Sequence, residues 1–137
     1  MSKLSPERLL AERLIGWEAR SQKLTEVKRF AASVVCEKLR PILATLMGNG
    51  GFEALLLRAL ALAAKAIPAL AAAKLNSEGA LEFDPSSAQM NPGDLKEANI
   101  VLIAQLLRLL NSFIGEELTV RLVREAWPKL VFTDPKL

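Results

Sequence analysis

Residues 52–73, "FEALLLRALALAAKAIPALAAA", restrict the possible folds more than any other stretch of the chain. Ala and Leu dominate it, and both favour helix. Wound as a helix, it shows only a narrow polar stripe of Arg58 and Lys65, continued by Ala72. A helix that is apolar nearly all round needs neighbours on every side, which places it in the middle of a bundle. The segment is also long enough to cross a bilayer. Arg58, Lys65 and Pro68 fall inside it, however, and a charge at that depth costs several kcal/mol, so the expectation is no transmembrane span.

A second such helix follows. Asn91, Pro92 and Asp94 form a helix start, with a capping side chain, a first-position proline and an acid in the first turn. Along the helix Asp94, Glu97, Gln105, Arg108 and Ser112 share one face. Leu95, Ile100, Leu102, Ile103, Leu106, Leu107, Leu109, Leu110 and Phe113 cover the rest. Two largely apolar helices in 137 residues predict an all-α fold, a compact bundle of four to five helices with the third and fourth central. The length is that of one domain, residues 1–137.

The remaining elements are amphipathic. Ser5, Pro6 and Glu7 read as the start of helix one, which runs to about Arg20 and buries Leu10, Leu14 and Trp17. Helix two starts near Thr25, with Val27, Ala31, Val34, Val35, Leu39, Ile42 and Leu46 in phase across Pro41, so either one kinked helix or two abutting ones are expected. It ends at Gly48, and helix three runs from about Gly51 to Ala73, bent at Pro68. Residues 75–91 read as a flexible acidic surface loop with a small hairpin around "NSEG". Gly115 interrupts the fourth helix, Glu116 and Glu117 supply charge for a new N-terminus, and the fifth helix stops at Pro128, leaving a short tail at about 129–137.

Composition excludes several chemistries. The chain has one cysteine and no histidine, so neither an intramolecular disulfide nor a zinc cluster nor a Cys/His nucleophile pair forms. No cofactor or metal is expected. Charged residues interrupt the first 20 positions, which lack the apolar run of a signal peptide, and a cytoplasmic protein is expected. Residues 1–40 hold nine Lys/Arg against five Asp/Glu, and residues 76–100 hold one against five. The net charge of +3 is too small, and its cations too mixed with carboxylates, for nucleic-acid binding.

Four features are candidate sites. Gly48, Gly50 and Gly51 precede helix three like a phosphate loop, but Phe52, Glu53 and Ala54 fill the places where such a loop needs Lys and Ser/Thr. A helix-to-helix turn is expected instead, with Gly48 as a left-handed C-cap and Asn49 or Gly50 capping the next helix. Arg58 and Arg108 each stand alone among leucines; they either line the solvent stripe of their helices or meet Glu116, Glu117 or Glu125 as an anion-binding pair. Cys36 falls by helical angle on the polar side of helix two, near Arg29, Ser33 and Arg40, either as a thiol activated by cations or as an ordinary exposed or interface cysteine. Trp17 and Trp127 are helix-end anchors.

The segments "LATLMGNGGFEALLLRALALA" and "FIGEELTVRLVREAWP" resemble a family of small all-helical bacterial proteins with no assigned activity. The resemblance implies a bacterial source and a compact helical domain, and no site residues. With catalytic chemistry sparse and apolar area in surplus, the expected function is a non-enzymatic interaction module that self-associates or binds a protein partner. The alternative is a carrier holding a small apolar ligand or lipid between the central helices.

Overall fold

The computed structural model describes residues 5–22, 31–84 and 89–130. Among them, four α-helices carry nearly all the regular structure: α1 (Pro6–Gln22), α2 (Ala31–Ala66), α3 (Pro92–Ile114) and α4 (Glu116–Ala126). A 3-10 turn (Pro68–Ala72) and two short strands, β1 (Lys74–Leu75) and β2 (Leu81–Glu82), bridge α2 to α3. The all-α expectation holds. The beginning of helix two near Thr25 and Val27, Arg29, residues 85–88 of the acidic loop and residues 131–137 of the tail lie outside the described residues.

Helix α1 starts as its sequence dictates. The Ser5 hydroxyl accepts from the Arg8 backbone N–H at 3.0 Å, satisfying one orphan donor of the first turn. Leu10, Ala11, Leu14 and Ile15 then face the core. The Arg8 guanidinium donates to both carboxylate oxygens of Glu97 at 2.8 Å each, a two-pronged contact that fixes α1 across α3.

Helix α2 runs helically through Pro41, burying Val35, Leu39 and Leu43, and then breaks at Gly48 (φ 78°, ψ 159°). That conformation is essentially restricted to glycine. Its ψ is far from the left-handed helical value of about 47°, so Gly48 is not the expected left-handed cap but an extended reversal point. The second limb starts directly at residue 49, so Asn49, Gly50 and Gly51 lie within its first turn. The limbs turn back on one another. The Arg40 guanidinium lies 5.2 Å from the Phe52 ring centre, whereas a continuous helix would hold those two Cα atoms about 18 Å apart.

The second limb ends at Ala66 rather than at Ala73. Proline disfavours helical geometry in the residue before it, and Ile67 accordingly leaves the helix (φ −126°, ψ 87°) while its N–H still donates to the Ala63 carbonyl. The chain then forms the small hairpin expected around "NSEG". β1 and β2 pair antiparallel, Lys74 opposite Glu82 and Leu75 opposite Leu81. Asn76 organises the turn: its side-chain oxygen accepts from the N–H groups of Glu78 and Ala80, and its amide donates to Glu82. The Ser33 hydroxyl donates to the Leu81 carbonyl, docking the hairpin on α2.

Helix α3 is the central element, touching α1, α2 and α4. Asn91 caps it, accepting from the Asp94 N–H at 2.7 Å. Ala98, Asn99, Ile100, Leu102, Ile103, Ala104, Leu106, Leu107 and Leu110 are buried, more than one face's worth. Phe113, expected in that apolar wall, is 66% exposed because it sits in the last turn, beyond the cover of the bundle. Gly115 (φ 93°, ψ 151°) repeats the Gly48 conformation and starts α4 in a new direction.

The segment expected as the second central helix is covered on one face only. Phe52, Leu56, Ala59, Leu60 and Ala63 of the second limb are buried, while Leu57 is 50% exposed and Ala54, Arg58, Ala61 and Lys65 face outward. Four helices do not suffice to enclose two of them, and α3 takes the centre. Leu46, expected on the buried stripe of the first limb, is 51% exposed two residues before the reversal.

Candidate interaction surface

The outward face of the second limb follows from helical spacing. Residues 54, 58, 61 and 65 recur at steps of four, three and four, and so form one ridge. Leu57 lies beside it, and half-buried Leu55 and Leu62 flank the other side. The surface is therefore small and aliphatic along about three turns, with two cations and no anion. Glu53 is the one carboxylate of this limb, and it points away, toward Arg40 at 3.9 Å.

Polar clusters stiffen the bundle behind this face. Arg40 is the hub of one: it donates twice to Glu37, once to the Gly79 carbonyl at 2.5 Å, and lies over Phe52. One guanidinium thus ties both limbs of α2 to the hairpin. Gly79 (φ 82°) has a backbone conformation that side chains rarely adopt, and a Cβ there would displace the Glu53 carboxylate. In the second cluster Glu18 and Trp127 are buried and Lys38 is half-exposed. The Trp127 indole N–H donates to Glu18 at 2.7 Å, Lys38 reaches the same oxygen at 2.5 Å, and its ammonium stands 6.0 Å from the Trp127 ring centre. In the third, Asn99 accepts from the Ala32 N–H and donates to the Leu95 carbonyl, joining α2 to α3.

Near the start of α1, the Asn111 amide donates to Glu7 at 2.8 Å, which leaves its carbonyl oxygen buried without a donor. A cavity of about 20 Å³ adjoins it, bounded by Glu7, Leu10, Leu107 and Thr119. This is the size of one water molecule. A larger cleft of about 290 Å³ opens between Ala66–Ala69 and the start of α3, with Gln89, Met90, Asp94 and Glu97 on its wall.

The sequence-derived candidates do not converge. Arg58 is exposed on the ridge of the second limb. Arg108 is exposed on α3 and donates to the Ser5 hydroxyl at 3.2 Å. Glu116, Glu117 and Glu125 are exposed on α4, and among the described residues none of them pairs with either arginine, so both arginines occupy solvent stripes. Cys36 is corrected: it is fully buried, and burial pushes its thiol up to about 12. The helical-wheel angle placed it with Ser33 and Arg40, but the reversal at Gly48 and the docked hairpin cover that side of the first limb. Gly48 forms the expected helix-to-helix turn; Gly50 has open space where a Cβ would be, and a Cβ at Gly51 would stand 3.2 Å from the Met47 side chain.

Sequence reading missed the Glu18, Lys38 and Trp127 cluster and the hub role of Arg40. A signal for Glu18 existed, since it follows Ala11 by seven residues and Leu14 by four, in phase with the buried face of α1. Comparison with known protein families, with curated proteins and with solved structures finds no match.

Proposed function

We propose that the chain is a cytoplasmic, non-enzymatic helical interaction module that presents the outer face of the second limb of α2 to a protein partner. One observation carries the reading. α2 and α3 are both long and apolar enough to cross a membrane, yet only 28% of the most apolar stretch of α2 is buried, against 50% for α3. Apolar surface left uncovered on a helix is a binding resource and a solubility cost, and its common outlet is a protein interface. The resemblance to small bacterial helical proteins belongs to the same reading. Burial of Cys36 as a neutral thiol and the lack of any histidine support a role other than catalysis.

The carrier reading has less support. Its ligand would lie between the second limb and α3, where Phe52, Leu56, Ala59, Leu102, Ile103 and Leu106 are fully buried in one cluster. The open cleft near Ile67 is walled by Asp94 and Glu97, with neither Arg58 nor Arg108 at its rim, an arrangement ill suited to an acyl carboxylate. The interaction reading is tested by light scattering over a concentration series at about 0.1 M and about 1 M salt, where the screening length falls from about 10 Å to about 3 Å. Association that strengthens with salt and is lost in Leu57→Glu supports it. A monomer at every concentration and both salts contradicts it.

A further inference from the structure

The charges on the ridge specify what covers it. Arg58 and Lys65 stand two turns apart on one line, about 10 Å, with Ala54 and Ala61 on the same ridge and Leu57 beside it. The limb offers no carboxylate there, because Glu53 is turned toward Arg40. A second copy is therefore a poor fit. Two-fold antiparallel pairing centred between the cations sets Arg58 against the partner's Lys65 at both ends, and pairing centred on Arg58 sets like against like directly. Juxtaposed like charges oppose association at an interface, whereas opposite charges steer the encounter and fix register.

Resting on the interaction-module reading, we propose that this face receives an α-helix of another protein whose contacting side carries carboxylates about seven residues apart beside small and aliphatic side chains. The two small residues let the helices approach closely, the leucines supply the apolar contact, and the two cations set the register. The repulsion between copies keeps the chain monomeric until such a partner is present.

The chain itself supplies the probe. The double variant Arg58→Glu/Lys65→Glu has the same aliphatic face with carboxylates at the required spacing, and both sites are exposed, so the fold is not at stake. Light scattering at about 0.1 M salt is expected to show wild type and variant each as monomers and their equimolar mixture at twice the monomer mass. Arg58→Gln/Lys65→Gln, with the repulsion removed, is expected to pair with itself. A wild-type dimer at low salt overturns the inference and leaves the interaction module standing. A mixture that stays monomeric overturns it too. If the Gln variant and the wild type at high salt also stay monomeric, the interaction module falls with it.

Discussion

The indole N–H of Trp127, just beyond the end of α4, donates to the carboxylate of Glu18 on α1 at 2.7 Å, 109 residues away and fully shielded from solvent. A buried carboxylate is tolerated only where its lone pairs are met, and here the indole and Lys38 share one oxygen. Trp127→Phe removes that donor and also shortens the buried ring system. The expected loss is about 1–3 kcal/mol of unfolding free energy, read by urea denaturation. Lys38→Met, at a half-exposed side chain, is expected to cost less than about 1 kcal/mol.

Gly48 and Gly50 are two residues apart and are expected to respond to alanine with opposite signs. Gly48→Ala forces a Cβ into a backbone region of positive φ that glycine alone tolerates, at about 1–3 kcal/mol, although nothing lies within 4 Å of that Cβ. Gly50→Ala sits inside a helical turn in open space, where alanine gains about 0.5–1 kcal/mol over glycine. Thermal unfolding of the two variants distinguishes a reversal point from an ordinary flexible stretch.

Cys36 is expected to resist thiol reagents such as a disulfide chromophore in the native state and to react on denaturation. Desolvation, aided by the nearby Glu37 charge, raises the thiol to about 12, above an unfolded value of about 8.5. The sign follows: the native state holds the proton more tightly, so this contribution is complete below about pH 8.5 and is lost as pH rises toward 12. Cys36→Ala is expected to flatten the alkaline limb of a stability–pH profile.

Glu97 contributes to the acid limb. The hydrogen bonds from Arg8, more than its charge alone, lower the Glu97 carboxyl below its ordinary range. A depressed carboxyl stabilises above its unfolded pKa of about 4.3 and loses that contribution as pH falls through the lower folded value. Both side chains are partly exposed, so the effect is small, below about 1 kcal/mol. Glu97→Gln is expected to remove the part of acid destabilisation that sets in below about pH 4.3, measured by chemical denaturation across pH.

Local chemistry made the helix starts at Ser5 and Asn91, the breaks at Gly48 and Gly115 and the "NSEG" hairpin legible, because each rests on residues within one turn of each other. What failed was long-range. Periodicity gives how much of a helix is apolar but not how many neighbours arrive to cover it, so residues 52–66 read as central although they are covered on one side. Cys36 failed for the converse reason: its polar wheel neighbours Ser33 and Arg40 are themselves spent on the hairpin, through Leu81 and Gly79, and that docking buries the thiol. The proposed interaction face rests on the difference between apolarity and cover, a quantity that no single segment contains.

The central claim is that the outer ridge of the second limb is where a partner binds, and amide chemical-shift mapping locates it directly. Isotope-labelled wild type is titrated with unlabelled Arg58→Glu/Lys65→Glu chain. The account predicts that the shifts concentrate at Ala54, Leu57, Arg58, Ala61 and Lys65, with Lys38 and Thr45 on the outer side of the first limb unchanged. Shifts centred on Lys38 and Thr45, or none along the ridge, would contradict it.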